Sequence, residues 1–79
     1  MPPSIDYFDG IKISIYSNDH NKPHFHAEFG EYEVIINIET LEIEKGEIPP
    51  KQYKKVQEWA IDKKEYLLKT FQKLNPHLR

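Results

Sequence analysis

The chain has 79 residues, of which 38% are hydrophobic and 30% are charged, with four histidines and no cysteine. This length predicts one domain over residues 1–79, and the missing cysteines exclude disulfide bonds and a thiolate zinc cluster. No apolar run approaches the ~20 residues that a membrane-spanning helix needs, and the N-terminus lacks the features of a signal peptide, so we expect a cytoplasmic protein.

The two parts of the chain carry opposite charge. Residues 1–50 hold three lysines and ten acidic residues, a net charge of −7, whereas residues 51–79 hold eight basic and three acidic residues, a net charge of +5. Such a separation can hold an acidic sheet against a basic helix, or leave either surface for a partner of opposite charge. Nucleic acid is one such partner, but the helix lysines lack the interleaved aromatic residues of a base-stacking surface.

Alternating residues in the first half of the chain predict antiparallel strands. Residues 5–8 form a possible short strand before the turn signal Asp9-Gly10. In residues 11–16, isoleucine alternates with Lys, Ser and Tyr, which is the period of a half-buried strand. The stretch from Ser17 to Pro23 has turn chemistry throughout.

Three further segments complete the predicted sheet. In residues 24–29, histidine and glutamate alternate with phenylalanine and alanine. Gly30-Glu31 then makes a tight turn into a third strand at residues 32–38. Residues 39–44 are read as a turn and a short edge strand whose charges discourage pairing with other chains, and Lys45-Gly46 ends it.

The last third of the chain predicts a helix. Pro49-Pro50 opens it, and Asn75-Pro76 stops it. Between these signals the apolar residues recur at steps of three, four and seven positions. The predicted fold is α+β: an antiparallel meander of three to five strands within residues 5–44, with one long C-terminal helix, at about residues 50–74, packed on one face.

Alternation also predicts which polar residues lie together. If the phenylalanines of residues 24–29 face the helix, a polar array lies on the other face of the sheet. Its members are His24, His26, Glu28, Lys12, Tyr16, Glu33 and Asn37, and Ile35 shares the same face. Asp19 and His20 belong to the turn at one end of this array.

A metal site is one interpretation of the histidines. Two histidines at positions i and i+2 of a strand project the same way, roughly 6.5–7 Å apart along the backbone. Together with Glu28, His24 and His26 would suit a divalent transition metal such as zinc, nickel, copper or iron. The pattern resembles half of a cupin metal motif, but a cupin barrel needs a far longer chain. No other cofactor is predicted.

Acid–base catalysis is a second interpretation. A pair formed by His24 and His26 could abstract and return a proton, with Asp19 and His20 nearby. Lys12 and Tyr16 could stabilise a developing phosphorane charge. This is the chemistry of a metal-independent ribonuclease.

A third interpretation is structural. The histidines would then be solvent-exposed strand residues beside a polar turn. Trp59 on the apolar stripe of the helix would more often be a core residue than a contact residue. If the helix does bind a partner, Tyr53, Trp59 and Tyr66 are the first candidates.

Four segments of the chain resemble a known family. They are GIKISIYSNDHNKPHFHAEF, EYEVIINIET, KGEIP and VQEWA. Over about residues 2–72 the chain resembles the small bacterial proteins of domain-of-unknown-function family 4160. The most specific part is the segment D-H-x-x-P-H-x-H-A, carried here by Asp19, His20, Pro23, His24, His26 and Ala27. The family commonly has a second proline where this chain has Lys22.

The resemblance implies a kind of partner rather than an activity. Members of this family are often encoded beside another short protein, of domain-of-unknown-function family 2442, in a toxin–antitoxin-like arrangement. We therefore expect a small protein partner encoded nearby, and an action on RNA or translation is a linked expectation. The family has no established catalytic residue to carry over to this chain.

Overall fold

The structure, a computed structural model, describes residues 4–16 and 22–76. Its elements in chain order are β1 (Ser4–Phe8), β2 (Ile11–Ser14), β3 (His24–Phe29), β4 (Tyr32–Asn37), β5 (Ile43–Glu47), α1 (Pro50–Ala60) and α2 (Lys64–Leu74). Each strand pairs antiparallel with its neighbours in sequence, so the sheet order is β1-β2-β3-β4-β5. The predicted α+β fold with an antiparallel meander is therefore confirmed.

Strand register divides the sheet into two faces. Ile13 lies opposite Ala27, and Ala27 lies opposite Val34, so these side chains share one face. This core face supplies most of a single buried hydrophobic cluster, to which both helices also contribute. The alternation of β2, β3 and β4 predicted these inward-facing residues correctly, because each hydrophobic side chain gains by leaving water.

The prediction of one long helix is wrong, because the chain forms two helices. The break lies at residues 61–63, where the Lys63 N–H donates to the Ala60 carbonyl at 2.9 Å and the Lys63 carbonyl accepts from the Leu67 N–H at 2.8 Å. No glycine or proline marks the break, so the local sequence carries no stop signal there.

The size of the sheet gives a physical reason for the break. A straight helix over residues 50–74 would be ~37 Å long, whereas strands of four to six residues span ~13–20 Å. A bend at residues 61–63 lets both halves of the apolar stripe reach the cluster. Val56 and Ala60 of α1 are buried there, as are Leu67 and Phe71 of α2. Neither described helix is long and apolar enough to span a membrane.

The predicted limits of the strands, residues 5–44, are also wrong, because the sheet runs from Ser4 to Glu47. Gly46 lies inside β5 rather than at its end, opposite Val34, with φ +86°. A Cβ atom at Gly46 would clash with the Glu33 carbonyl oxygen and lie 3.2 Å from the Val34 Cα. The glycine is therefore required by the close approach of β4 and not by a turn.

The loop between β4 and β5 is organised by one amide side chain. Asn37 Oδ1 accepts the N–H groups of Glu39 at 2.7 Å and of Thr40 at 3.0 Å, while Asn37 Nδ2 donates to Glu44 Oε2 at 2.9 Å. The loop also holds Leu41 at φ +63° with its side chain buried. The hydrogen bonds of Asn37 offset the strain of this left-handed residue.

Candidate functional site

The sheet face opposite the hydrophobic cluster, called the open face below, carries two rows of side chains in cross-strand register. From β1 to β5 the first row is Tyr7, Lys12, Glu28, Glu33 and Glu47. The second row is Ser4, Ser14, His26, Ile35 and Lys45. Within the described residues, the helices place their buried side chains in the cluster on the core face.

His26 lies at the centre of the open face. Its Nδ1 donates to Glu33 Oε2 at 3.3 Å, and the ring of Tyr16 packs against it edge to face with centroids 4.4 Å apart. The His26 side chain keeps 13% of its surface exposed, whereas the Glu33 side chain keeps 54%. The structure therefore brings together three predicted open-face residues: His26 on β3, Glu33 on β4 and Tyr16, which follows β2 by two residues.

The negative charge of this region affects the pKa of the Tyr16 phenol. Burial raises the pKa of the Tyr16 phenol above its ordinary value, and the charges of Glu28 and Glu33 raise that pKa further. A phenolate would be repelled by both carboxylates, so Tyr16 stays protonated and can donate a hydrogen bond at neutral pH. It is therefore a hydrogen-bond donor and an aromatic surface rather than a base.

His24 does not occupy the exposed position predicted for it. Alternation does put it on the same side of β3 as His26, with ring centroids 5.3 Å apart. However, only 2% of His24 is exposed, because its ring packs against Phe71 of α2 at 5.4 Å. Its Nδ1 donates to the Lys22 carbonyl at 2.6 Å, which fixes the orientation of the ring. The predicted pair of exposed histidines is therefore reduced to His26.

Three glutamates stand side by side on the first row of the open face. Glu28 pairs with Glu33 across β3 and β4, and Glu33 pairs with Glu47 across β4 and β5. Like charges directly opposite each other destabilise a sheet. We call Glu28, Glu33 and Glu47 the glutamate row. Among the described residues the one side-chain hydrogen bond of this row is that of Glu33 with His26.

Five residues of this face were not predicted from the sequence: Tyr7, Glu47, Ser4, Ser14 and Lys45. Ser14 is fully buried, and its hydroxyl has no hydrogen-bond partner among the described residues. Its position between Lys12 and Tyr16 in the alternating strand was the signal that could have placed it here. Glu47 was missed because the predicted edge strand ended too early, and Tyr7, which is 69% exposed, because β1 shows no clear alternation.

Two of the predicted site residues, Asp19 and His20, lie outside the described residues. Within residues 4–16 and 22–76, no group of three or more histidine, aspartate or glutamate side chains could hold a metal ion. His24 and His26 lie side by side, whereas Glu28 belongs to the next row of the face. The metal site predicted from His24, His26 and Glu28 stays a prediction.

The three candidate partner-binding residues differ in their surroundings. The Tyr53 hydroxyl donates to the Leu41 carbonyl at 2.7 Å, and Trp59 Nε1 donates to Asp6 Oδ2 at 2.7 Å. Both side chains pack against the hydrophobic cluster. Tyr66 on α2 is 53% exposed and, of the three, presents the most surface to a partner.

The charge separation between sheet and helices is mostly not neutralised within the described chain. One ion pair there joins a helix to the sheet region, between Lys55 Nζ and Asp9 Oδ2 at 3.3 Å. The other lysine pairs connect neighbouring residues on the helical side, such as Lys69 with Glu65 at 3.2 Å. The open face and β5 therefore keep an excess of acidic side chains.

Comparison with known proteins identifies a family but not an activity. A family model described as Domain of unknown function (DUF4160) matches residues 10–72. This range contains β2 to β5, α1 and most of α2, and it includes the residues of the open face on β2, β3, β4 and β5. No curated protein and no solved structure matches the chain.

Proposed function

We propose a function from the premise that this chain belongs to the DUF4160 family. The chain is one component of a toxin–antitoxin-like module and acts by contact with a small protein encoded nearby. The open face is the contact surface, and the partner presents basic side chains to it. A cytoplasmic location is part of this proposal, since both proteins of such a module would meet where they are made.

The glutamate row is the observation that carries this proposal. A polar open face is ordinary in an antiparallel sheet, because water solvates it. Three carboxylates in direct register are unfavourable on a face that serves only solubility, where alternating signs would be more stable. A basic partner converts this repulsion into attraction. The neighbouring Tyr7 and Ile35 add the apolar and aromatic contact area that protein interfaces use.

Co-purification tests the proposal. The chain and the product of the neighbouring gene are expressed together, with an affinity tag on one of them, and a stoichiometric complex is expected. A variant with Glu33→Lys and Glu47→Lys should lose the partner. Glu42→Lys with Glu58→Lys is the matched control, because it makes the same charge change at exposed acidic residues away from the face. A chain that always purifies alone contradicts the proposal.

A second candidate function is a metal-independent ribonuclease. The observation that favours it is the hydrogen bond from His26 Nδ1 to Glu33 Oε2, since a carboxylate orients a histidine in many acid–base sites. Tyr16 beside His26 could donate a hydrogen bond to a phosphate oxygen, with Lys12 one row away. His24 is too buried to act as the second exposed base of the pair.

The growth rate of cells that express the protein tests the ribonuclease function. Cells expressing the wild type should grow more slowly than cells expressing His26→Ala, and Glu33→Gln should give partial relief. His24→Ala is unsuitable, because removing a buried ring beside Phe71 destabilises the fold. Equal growth inhibition by wild type and His26→Ala, or none from either, removes the ribonuclease.

A metal-binding module is tested by thermal unfolding. If His24, His26 and Glu28 bind zinc, nickel or cobalt in the native state, each ion should raise the melting temperature of the wild type. The His26→Ala variant is the control and should show no rise. No change in the wild type counts against a metal site.

A further inference from the structure

Glu28 and Glu33 form the most confined part of the glutamate row. They face each other directly across β3 and β4, with Cβ atoms ~4.5–5.5 Å apart in such pairs. Lys12 is the cross-strand neighbour of Glu28, yet no ion pair joins them in the described chain. Two carboxylates at this spacing can both contact one planar cation.

Ser14 supplies a second and independent feature of the same patch. It lies diagonally across from Glu28, in register with His26, and none of its surface is exposed. Its hydroxyl makes no hydrogen bond to any residue within 4–16 and 22–76. The large majority of buried polar side-chain atoms are hydrogen-bonded in folded proteins, so this orphan hydroxyl, one row away from Glu28, indicates a ligand that brings donors.

Tyr16 closes this patch on the side of His26. Its ring packs on the imidazole at 4.4 Å, and its phenol lies within the field of Glu28 and Glu33. An aromatic ring beside carboxylates favours a cation that can stack as well as form ion pairs. Arginine meets both conditions, because its guanidinium is planar and carries five donors, whereas lysine presents a compact charge with three.

We infer that Glu28 and Glu33, with Tyr16 and Ser14, bind an arginine side chain of the protein partner. This inference rests on the proposed function for the identity of the partner. The guanidinium bridges the two carboxylates and stacks on the Tyr16 ring. Because Ser14 has no exposed surface, its Oγ accepts one N–H only after a local movement of the open face.

The test uses a small-molecule probe and needs no partner. The isotope-labelled full chain is titrated with N-acetyl-arginine amide while backbone amide resonances are followed by NMR. Saturable shifts are expected at Ser14, Glu28 and Glu33, with a dissociation constant on the order of millimolar for so small a ligand. A variant with Glu28→Gln and Glu33→Gln should bind at least ~5-fold more weakly, which is the effect of losing about two exposed ion pairs.

Three controls make the test specific. N-acetyl-citrulline amide has the same shape without the charge and should cause no saturable shift. N-acetyl-lysine amide should bind more weakly than the arginine probe. The variant with Glu42→Gln and Glu58→Gln should bind like the wild type. Equal shifts from citrulline, equal affinity for lysine, or equal shifts around Glu42 and Glu58 would each overturn the inference.

The experiments distinguish a failure of the arginine site from a failure of the proposed protein partner. If the arginine probe does not bind but the complex co-purifies, the partner uses the open face without an arginine at this pair. If the probe binds but no complex forms, the arginine site is supported and the proposed protein partner is contradicted.

Discussion

Replacing Gly46 by alanine should be among the most damaging single changes in the sheet. The residue has φ +86°, and an L side chain in that region costs ~1–2 kcal/mol. The added Cβ would also clash with the Glu33 carbonyl oxygen and lie 3.1 Å from its carbonyl carbon. Backbone cannot move aside as a side chain can, so β5 must shift away from β4 and weaken hydrogen bonds worth ~0.5–1.5 kcal/mol each. We expect a total loss of ~3–5 kcal/mol from these costs.

Gly30→Ala is the matched control for this prediction. Gly30 also has a positive φ, +60°, but no atom of the described chain lies within 4 Å of a Cβ added there. Only the backbone strain applies, so we expect a loss of ~1–2 kcal/mol. The free energy of unfolding, measured by urea denaturation of both variants and the wild type, separates the two effects. Losses equal within ~0.5 kcal/mol, which is the usual scatter for surface changes, would refute the close approach of β5 to β4.

Three further predictions concern single side chains. Asn37→Ala should lower the free energy of unfolding by ~2–3 kcal/mol, measured in urea, because two loop N–H groups and one carboxylate lose their partner; a loss below ~0.5 kcal/mol would contradict it. Glu33→Gln should lower the pKa of the Tyr16 phenol, measured by alkaline absorbance titration with Tyr16→Phe as the reference. An unchanged pKa would show that the phenol does not lie close to Glu33. Because the Tyr16 pKa is raised in the folded state, its contribution to stability is present below the ordinary tyrosine pKa and falls as pH rises through the folded value. Trp59→Phe should raise the pKa of Asp6. Hydrogen bonds from the Tyr7 N–H and, to a smaller extent, the Trp59 indole N–H hold that pKa below its ordinary value. NMR titration of the Asp6 carboxyl carbon measures the pKa, and no rise in the variant would rule out the indole hydrogen bond.

Alternation was sufficient to predict the two faces of the sheet. In β3, Phe25 and Ala27 are fully buried, and in β4 Val34 and Ile36 are fully buried, as their spacing indicated. A one-residue shift would expose all of these side chains, so the hydrophobic effect fixes the register strongly. The placement of His26 with Glu33 follows from the same register and was therefore accessible from the sequence.

The burial of His24 could not be predicted from alternation. Alternation states which side of a strand a residue occupies, but not what covers that side. His24 begins β3 at the end of the sheet, and the ring of Phe71, 47 positions later, packs against it. The break that brings α2 to this end has no glycine or proline signal. Tertiary packing, and not local sequence, decides both features.

The position of Gly46 inside β5 could not be predicted from the sequence for a different reason. A glycine after a short charged strand reads as a strand end, because glycine is the usual turn residue. Here it continues β5 past a register irregularity near Ile35, where the backbone of β4 comes close. Consequently Glu47 joins the sheet, and the glutamate row gains its third member.

Calorimetric titration of the purified chain with the product of the neighbouring gene tests the role of the open face most directly. We expect the wild type to bind, with an affinity that falls as the salt concentration rises. The variant with Glu33→Lys and Glu47→Lys should bind at least ~10-fold more weakly, since each reversed charge removes an attraction and adds a repulsion. The Glu42→Lys, Glu58→Lys control should bind within ~2-fold of the wild type, because both residues lie outside the proposed contact surface and salt screens distant exposed charges. Equal affinity for all three proteins would contradict a contact through the glutamate row.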